Sequence, residues 1–391
     1  MREFTGHHFL QVPGPSNVPE TVLLAMARAT IDHRGSEFQR LTKTVLEAFD
    51  ALFEFKDPVV IYPSSGTGAW VAALINCLSP GDKVVGFETG HFATLWNRIA
   101  IELGLEVLFE KGDWRSAVDP NRLETILRDD KSSSIKAVCI VHNETSTGVT
   151  SDIGAIRAAI DAAKHPALLL VDTISSLASI PYQHKDWKVD VTVGGSQKGL
   201  MLPPGIGLNI VSDKARVAAK SAKLPKAYWD WEAIIEANAD GFFPYTPPTN
   251  LMHGLSVAQE LLGDEGMAHV YARHARYGVA TRAAVQAWGL ETVCQQPDRH
   301  SNSLTAVLMP NGVNADEFRQ VALQKFNISL GTGLGRLSKK AFRIGHLGDF
   351  NDLMLTGTLT GVEMALDLMG VGFQKGGVSA AMQCLQDDNV N

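Results

Sequence analysis

The pentapeptide GSQKG at positions 195–199 places a lysine directly after an apolar run. Lys198 follows the residues VDVTVG, and such a run is typical of a buried β-strand. A lysine ammonium is strongly hydrated, so burial lowers its pKa and yields an amine that attacks carbonyl carbon atoms. From this motif alone, a carbonyl-attacking Lys198 and an ordinary surface lysine in a turn are equal alternatives.

A second chemical group, Asp172, ends the apolar run ALLLVD. An aspartate at the carboxyl end of a buried strand faces the crevice where parallel sheets bind ligands, and its charge there requires a cationic partner. The protonated pyridine nitrogen of a cofactor is one such partner. A helix or turn cap is the alternative for Asp172 alone, but its combination with Lys198 at successive strand ends favours a cofactor site.

The sequence SSGTG at positions 64–68 lies between an apolar run, VVIYP, and a helix-length segment, AWVAALINCL. A loop rich in Gly and Ser that opens a helix presents free N–H groups and the positive end of the helix dipole. This arrangement suits a phosphate group, with the hydroxyl of Ser65 or Thr67 as an additional donor. The loop lacks the nucleotide-binding patterns GxxxxGK[ST] and GxGxxG, and simple helix capping is the alternative.

Arg343 lies within the apolar run AFRIG. An arginine in such a run requires a partner, and a planar carboxylate is its best geometric match. An amino-acid substrate supplies such a carboxylate, and a structural salt bridge is the alternative. We therefore predict that Arg343 binds a substrate carboxylate.

Strands and helices that alternate along the chain must position these groups. The alternation predicts an α/β fold with a mostly parallel sheet covered on both faces. From about residue 255 the pattern changes and predicts a smaller α+β domain. The predicted strands are 59–62, 83–87, 105–109, 135–141, 167–171, 189–193 and 206–211, then 303–309, 328–330 and 341–345. The predicted helices are 36–53, 67–78, 92–103, 120–129, 152–164, 251–263, 265–288, 314–326 and about 351–369, and the order of the tail 373–391 is left open.

The bulk composition excludes several classes of function. A chain of 391 residues is longer than one compact core usually spans, so two domains are expected. The net charge of −7 gives no basic field for nucleic acid or an anionic membrane. The four cysteines are far apart and form no CxxC pair, so we expect reduced thiols and no metal site. Neither a signal peptide nor an apolar run of about 20 residues is present, and we expect a soluble, cytoplasmic protein.

Together these motifs resemble those of the class V aminotransferases, a group of fold-type I pyridoxal 5′-phosphate (PLP) enzymes, and in particular the bacterial serine–glyoxylate aminotransferases. The resemblance covers nearly the whole chain, and the combination of GSQK with LLLVD is its specific part. The motifs that carry it are VPGPSNVPE (12–20), IDHRG (31–35), YPSSGTGAW (62–70), VHNETSTGV (141–149), LLLVD (168–172), GSQKGLMLPPG (195–205), FPYTPPTN (243–250) and FRIGHLGD (342–349).

The resemblance implies the architecture of a fold-type I PLP transferase. We expect an N-terminal arm (1–20) and a large PLP-binding domain (21–254) with a mostly parallel seven-stranded sheet flanked by helices. A smaller C-terminal α+β domain (255–391) completes the chain. The resemblance also implies a homodimer with shared active sites.

The resemblance further implies a role for each site residue. The catalytic pair is Lys198, which forms the Schiff base with PLP, and Asp172, which pairs with the pyridine nitrogen. The other cofactor-binding residues are Ser65, Gly66, Thr67 and Gln197 at the phosphate, Phe92 stacked on the ring, Thr145 at the ring oxygen or pyridine edge, and Tyr245 and Thr246 reaching the phosphate from the neighbouring subunit, with Thr249 as a competitor. The substrate-binding residues are Arg343 and, through the backbone, Gly14 and Asn17.

The implied reaction moves an amino group from a small L-amino acid, with serine favoured, to glyoxylate. The products are glycine and a 2-oxo acid, which is hydroxypyruvate when serine is the donor. Alanine or aspartate as donor, and pyruvate as acceptor, are alternatives. His33 and Arg34 are either part of the donor pocket of the partner subunit or an interface salt bridge.

Other PLP proteins are the rival interpretations. A cysteine desulfurase or selenocysteine lyase needs a nucleophilic thiol near the carboxylate-binding arginine, and residues 331–341 contain no cysteine. Phosphoserine aminotransferase and a kynureninase-like hydrolase are the remaining enzymes of the class. A non-catalytic PLP-binding protein is the alternative from a different class, and the presence of Lys198, Asp172 and Arg343 argues against it.

Overall fold

The computed structural model describes residues 6–387 of the chain. In that range two main sheets, of seven and five strands, are accompanied by a two-stranded sheet. In chain order the strands are β1 (Phe9–Gln11), β2 (Val59–Ser64), β3 (Lys83–Phe87), β4 (Glu106–Glu110), β5 (Ile135–Val141), β6 (Asn143–Glu144), β7 (Val149–Thr150), β8 (Leu168–Asp172), β9 (Val191–Gly195), β10 (Gly205–Val211), β11 (Glu291–Thr292), β12 (Leu304–Leu308), β13 (Ile328–Thr332) and β14 (Ala341–Gly345).

The α-helices of the same range alternate with the strands in the first two thirds of the chain and follow one another in the last third. In chain order they are α1 (Glu20–Met26), α2 (Ser36–Phe53), α3 (Gly66–Cys77), α4 (His91–Glu102), α5 (Pro120–Asp129), α6 (Ile153–Ala162), α7 (Asp213–Ser221), α8 (Trp231–Ala239), α9 (Thr249–Glu265), α10 (Met267–Ala287), α11 (Ala315–Phe326), α12 (Asp352–Leu368) and α13 (Gly377–Asp387).

The seven-stranded sheet has the spatial order β2-β10-β9-β8-β5-β3-β4. Strands β9, β8, β5, β3 and β4 are parallel, whereas β10 runs antiparallel to both β2 and β9. The predicted mostly parallel, seven-stranded sheet is therefore confirmed. Because the parallel strands end at one edge, the residues after β8 and β9 are brought together there.

Helices cover both faces of this sheet because the side chains of each strand alternate between the faces. In β2, Val59 and Ile61 belong to the apolar cluster that contains residues of α2, α5, α6 and α9. Val60 and Tyr62 of the same strand belong to the opposite cluster, with residues of α3, α4, α7 and α8. The sheet is thus the middle layer of three.

Local sequence sets several element ends directly. Helix α5 begins where the Asp119 carboxylate accepts a hydrogen bond from the N–H of Asn121 at 2.9 Å, with Pro120 as the first helical residue. A proline is favoured there because its missing N–H would have no partner inside the helix. The predicted bounds of α2, α5, β3, β5 and β14 are all confirmed.

The five-stranded sheet has the order β1-β13-β14-β12-β11. Its core is an apolar cluster with residues of α10, α11, α12 and α13, which agrees with the predicted α+β character of this part of the chain. Strand β1, from the N-terminal arm, pairs in parallel with β13, so Phe9 lies opposite Ile328. The arm is therefore attached to the C-terminal sheet, a contact that no local pattern predicts.

The structure also differs from the predictions or goes beyond them, and helices α1, α7 and α8 were not predicted. Strand β9 begins at Val191 rather than at Val189, because the N–H of Val189 bonds to the carbonyl of His184 in the preceding turn. The tail, whose order was left open, forms α13 up to Asp387, and residues 388–391 lie outside the described range. The domain limits 21–254 and 255–391 stay predictions, and α9 runs across residue 254.

Among residues 6–387, no helix has both the length and the apolar composition that crossing a membrane requires.

Candidate active site

A cavity of about 270 Å³ lies at the carboxyl ends of β8 and β9. It is lined by side chains or backbone from the N-terminal arm, the start of α3, the start of α4 and the loops after β6, β8 and β9. Nine residues singled out from the sequence line it: Gly14, Ser65, Gly66, Thr67, Phe92, Thr145, Asp172, Gln197 and Lys198.

Lys198 lies three residues after the end of β9 and is only 8% exposed. Burial lowers the pKa of its amine to about 7, and the nearby positive charge of Arg343 acts in the same direction, while Asp172 opposes it. The Nζ atom donates a hydrogen bond to the carbonyl oxygen of Pro13. An amine with such a pKa is substantially uncharged at neutral pH and can act as a nucleophile or as a base.

The N-terminal arm closes over Lys198 from the other side. Gly14 has φ of +100°, and a Cβ atom on it would overlap the lysine side chain, so only glycine fits here. The N–H of Ser16 donates to the carbonyl of Gln197 at 3.0 Å, and its Oγ donates to the carbonyl of Lys198 at 2.8 Å. The arm therefore fixes the backbone that carries the lysine.

Asp172, the last residue of β8, is 4% exposed. Burial raises the pKa of its carboxyl to about 7; the N–H of Ile174 lowers the pKa by donating to Oδ1 at 2.7 Å, and the charge of Glu144 raises it. No lysine, arginine or histidine of residues 6–387 forms a salt bridge with it within 4.0 Å. A cationic ring nitrogen placed in the cavity would restore the charged form of this carboxylate.

The N-terminus of α3 lies open at the cavity. Ser65 precedes the helix in an extended conformation, and no side chain of residues 6–387 caps the first turn. Ser65 and Thr67 are exposed, and the Oε1 atom of Gln197 is buried without a hydrogen-bond partner in the described part of the chain. Free N–H groups at a helix N-terminus bind phosphate without any further cation.

Arg343 lies in β14 of the smaller sheet and is 8% exposed. Its Nε donates to the carbonyl of Thr332 at 2.7 Å and its Nη1 to the carbonyl of Thr145 at 2.8 Å. Burial lowers the pKa of the guanidinium to about 10, so it stays protonated at neutral pH. Within residues 6–387 it has no carboxylate partner, so the alternative of a structural salt bridge does not hold for the described chain.

Two aromatic residues, Trp70 and Phe92, line the cavity. Phe92 is the second residue of α4, and its ring lies 6.4 Å from the ring of Trp70 in α3. Trp70 is only 1% exposed and lines the same cavity. Trp70 was not among the predicted site residues, although its position one helical turn after Gly66 places both on one face of α3.

Four other lining residues were also not among the predicted site residues. They are Pro15, Ile174, Ser175 and Pro204. Ile174 and Ser175 lie two and three residues after Asp172, so the rule that loops after parallel strands bind ligands was the available signal for them. Pro15 and Pro204 are brought to the cavity by long-range packing and carry no chemical signature.

Four predicted site residues do not line the cavity of this chain: Arg343, described above, and Tyr245, Thr246 and Asn17. The hydroxyl of Tyr245 donates to the carbonyl of Ile61 at 2.9 Å, and Thr246 is exposed. Asn17 donates from Nδ2 to the carbonyl of Leu10 at 3.3 Å. Because Tyr245 and Thr246 are predicted to act on a second subunit, their roles stay predictions, as do the individual roles of the lining residues.

The residues of the cavity fit a pyridine cofactor that carries a phosphate. Among residues 6–387 no side-chain cation forms a salt bridge with Asp172, Lys198 supplies an amine for the aldehyde, and the open N-terminus of α3 offers N–H donors for an anion. Lys198 and Asp172 lie at the ends of adjacent parallel strands, so both reach the same cavity, where Asp172 would pair with the ring nitrogen and Lys198 with the aldehyde.

Comparisons with known proteins agree with this geometry. The model of the family "aminotransferase class-V" matches residues 8–339. A serine–glyoxylate aminotransferase of Methylorubrum extorquens is 46% identical over 390 residues, covering 98% of this chain and 97% of the relative. An L-aspartate–glyoxylate aminotransferase of Paracoccus denitrificans is 41% identical over 381 residues, covering 97% of this chain and 96% of the relative.

A solved structure gives the same result for the fold. The pyridoxamine–pyruvate aminotransferase of Mesorhizobium loti superposes with a TM-score of 0.90 at 28% identity, and 97% of each chain is covered. The predicted fold-type I architecture is therefore confirmed. With a matching family model over most of its length and a buried lysine and aspartate at adjacent strand ends, this chain belongs to the class-V aminotransferases and is a PLP-dependent enzyme.

Proposed function

We propose that this enzyme transfers the amino group of a small L-amino acid, with L-serine favoured, to glyoxylate. The products are glycine and a 2-oxo acid, which is hydroxypyruvate when serine is the donor. The observation that carries the proposal is Lys198, whose amine has a pKa of about 7 and is therefore available as a base. The same cavity contains the carboxyl group of Asp172, which has no salt-bridge partner among residues 6–387. The serine–glyoxylate relative at 46% identity supports the choice of donor and acceptor.

Lys198 is the general base and acid of this scheme. Its Nζ takes the proton from the Cα atom of the amino donor. In the second half of the reaction it returns a proton to the carbon atom of glyoxylate that becomes Cα of glycine. The low pKa keeps Nζ ready to accept a proton at neutral pH, and positioned transfer of this kind contributes about 10²–10⁴-fold in rate. When bound, PLP supplies an electron-poor ring that stabilises the negative charge developing at Cα.

Asp172 and Arg343 hold the two ends of the reacting system. Asp172 fixes a proton on the pyridine nitrogen, because its carboxylate is stable in this buried position only beside a cation. Arg343 binds the substrate carboxylate, since two carbonyl groups orient its guanidinium without neutralising it. A carboxylate fixed at this end determines which bond of Cα faces Lys198.

The lining of the cavity favours a donor without a charged side chain. Of the residues that line it in the described chain, only Lys198 is cationic, whereas Thr145 and Ser175 offer hydroxyl groups. An acidic donor needs a second cation for its side-chain carboxylate. L-Aspartate is nevertheless the second candidate, because of the L-aspartate–glyoxylate relative at 41% identity.

A homodimer in the cytoplasm is part of this proposal. Ser65 and Thr67 are exposed in the single chain, which leaves the phosphate end of the cavity accessible to groups such as Tyr245 and Thr246 of a second chain. Sedimentation analysis tests the dimer, and cell fractionation tests the location. A monomer with full activity would contradict the shared site.

Steady-state kinetics of the purified holoenzyme test the reaction. We expect L-serine and glyoxylate to give glycine and hydroxypyruvate with the parallel double-reciprocal lines of a ping-pong scheme. The visible absorption of the bound cofactor is expected to change with L-serine alone and to return with glyoxylate. A larger kcat/KM with L-alanine or L-aspartate would reassign the donor, and a cofactor that responds to no amino acid would indicate a non-catalytic protein.

A further inference from the structure

The N-terminus of α4 has no cap of its own. The residue before the helix is Gly90, which has no side chain to accept a hydrogen bond from the first turn. The missing acceptors come instead from Glu144, the last residue of β6, and from Ser146 in the loop after it. The carboxylate of Glu144 accepts from the N–H of Phe92 at 3.3 Å and from the N–H of Ala93 at 3.0 Å, and the Oγ of Ser146 accepts from the N–H of His91 at 2.9 Å.

Glu144 is completely buried, with 0% exposure. Besides the two N–H groups of α4, it accepts hydrogen bonds from the N–H of Ser146 at 3.0 Å and from the Oγ of Ser146 at 2.7 Å. Four donors on one carboxylate, two of them at the positive end of a helix, stabilise the negative charge in the interior. A Cβ atom on Gly90 would overlap both side chains, so this contact requires a glycine.

Thr145, between these two residues, contacts Arg343 and the cavity rather than α4. Its carbonyl oxygen accepts the hydrogen bond from Nη1 of Arg343 at 2.8 Å, and the residue lines the cofactor cavity. The tripeptide 144–146 therefore touches α4 with its outer side chains and Arg343 with its central carbonyl. Phe92, in the first turn of α4, lines the same cavity.

We propose that Glu144 is a positioning residue for both the cofactor and the substrate. By binding the first turn of α4 it fixes Phe92 at the cofactor cavity, and through the backbone of Thr145 it fixes the guanidinium of Arg343. Without it, the first turn of α4 has two N–H groups without acceptors, and the turn has to be ordered when the cofactor binds. This inference rests on the assignment of the cavity as the PLP site.

The test is the variant Glu144→Gln, which has nearly the same shape as glutamate. Its amide places an N–H donor against backbone donors, so at least one hydrogen bond of the cap is lost. We expect the dissociation constant of PLP to rise about tenfold, as the loss of one charge-assisted hydrogen bond implies. We also expect KM for the amino donor to rise with kcat changed less, because Arg343 loses its fixed orientation.

Amide hydrogen exchange of the cofactor-free chain is a readout that does not depend on activity. We expect faster exchange at Phe92 and Ala93 in Glu144→Gln than in the wild type. A lower Tm with unchanged PLP dissociation, unchanged KM and unchanged exchange in α4 would overturn the proposal, because Glu144 would then only stabilise the fold.

Two further variants separate positioning from folding. Ser146→Ala removes the acceptor of the N–H of His91 but leaves both bonds from α4 to Glu144, so we expect the same changes at a smaller size. Asp119→Asn neutralises the cap of α5, none of whose residues lines the cavity, and we expect PLP dissociation to stay as in the wild type. Equal effects of Asp119→Asn and Glu144→Gln would overturn the proposal.

The wild-type measurements distinguish failure of this inference from failure of the proposed function. If the wild type binds PLP but does not transaminate L-serine, the proposed donor is wrong while the dissociation constants still test Glu144. If the wild type transaminates L-serine and Glu144→Gln matches it in PLP dissociation and KM, the function holds and the positioning role is wrong.

Discussion

Two helices, α3 and α4, begin at the wall of the same cavity, but within residues 6–387 only the N-terminus of α4 is capped by side chains. The first turn of α3 has no side-chain cap among the described residues, and its neighbours Ser65 and Thr67 are exposed. The first turn of α4 is closed by the buried carboxylate of Glu144. Both ends carry the same partial positive charge.

The difference shows what makes a helix end a binding site. The N–H groups of α4 already have a permanent anion, so that end holds Phe92 in place and binds no ligand. The N–H groups of α3 have no such partner within residues 6–387, so that end is available to the phosphate of a cofactor. The distinction between the two ends is thus made by one carboxylate supplied from another part of the chain.

The largest effect is expected when the reactive amine is removed and both helix N-termini stay unchanged. Lys198→Ala leaves the N-termini of α3 and α4 intact but removes the amine that accepts the proton. We expect turnover to fall by at least about 10²–10⁴-fold while the chain still takes up PLP. Lys188→Ala, at a surface position, is the control. Near-normal turnover of Lys198→Ala would remove this residue from the mechanism.

A second variant removes the contact between Arg343 and Thr145 without changing Glu144. Arg343→Ala removes the guanidinium that bonds to Thr145, and we expect KM for the amino donor to rise about 10²-fold, as for the loss of two charge-assisted hydrogen bonds. The dissociation constant of PLP is expected to change little. Arg336→Ala, on the neighbouring loop, is the control, and an equal rise in KM for both variants would contradict a specific carboxylate contact.

Adding a carboxylate to the uncapped N-terminus of α3 tests the comparison directly. Thr67→Glu places a carboxylate at the second residue of α3, where it competes with the phosphate for the same N–H groups. We expect the dissociation constant of PLP to rise about 10–100-fold, with Tm of the cofactor-free chain unchanged or higher. Spectroscopic titration with PLP measures the first quantity and calorimetry the second.

Two matched variants serve as controls for this substitution. Thr67→Gln has the size of the glutamate variant without its charge, so most of the PLP affinity is expected to be retained. Asn121→Glu puts the same charge at the second residue of α5, away from the cavity. If Thr67→Gln weakened PLP binding as much as Thr67→Glu, steric exclusion rather than charge would explain the effect.

The smallest expected effect is a pH dependence. Backbone N–H groups do not titrate between pH 5 and 9, whereas burial lowers the pKa of Lys198 to about 7. In the cofactor-free chain we expect the rate of Lys198 modification by an amine-specific reagent to rise about tenfold per pH unit below pH 7 and to level off above it. Peptide mass spectrometry follows the reaction, with the exposed Lys131 as reference. A rise that continues to pH 10 would show that the amine is not perturbed.

Local patterns were sufficient for most of the fold. The seven strands of the large sheet were predicted because each is a short apolar run, and the helices between them because they are longer amphipathic segments that alternate with those runs. Lys198 and Asp172 were found for the same reason, since each has a distinctive chemical type at the end of such a run. Arg343 was found as a charge within an apolar strand.

The contacts that complete the site were not visible in any local pattern. Glu144 lies in the motif NETST, which carries no sign of a helix cap, yet its carboxylate caps a helix about fifty residues earlier in the chain. Strand β1 pairs with β13, more than three hundred residues away, and carries Gly14 to Lys198. Trp70 is an ordinary core aromatic by its sequence and becomes part of the cavity only through the packing of α3.

The sequence by itself therefore determined which reactive groups lie at which strand ends, because burial periodicity and residue type are local properties. The tertiary structure alone decided which helix end is open to an anion and which is closed, and which backbone carbonyls orient Arg343. Those choices depend on hydrogen bonds between segments far apart in the chain, and a polar group acquires its partner only when folding has brought the two segments together.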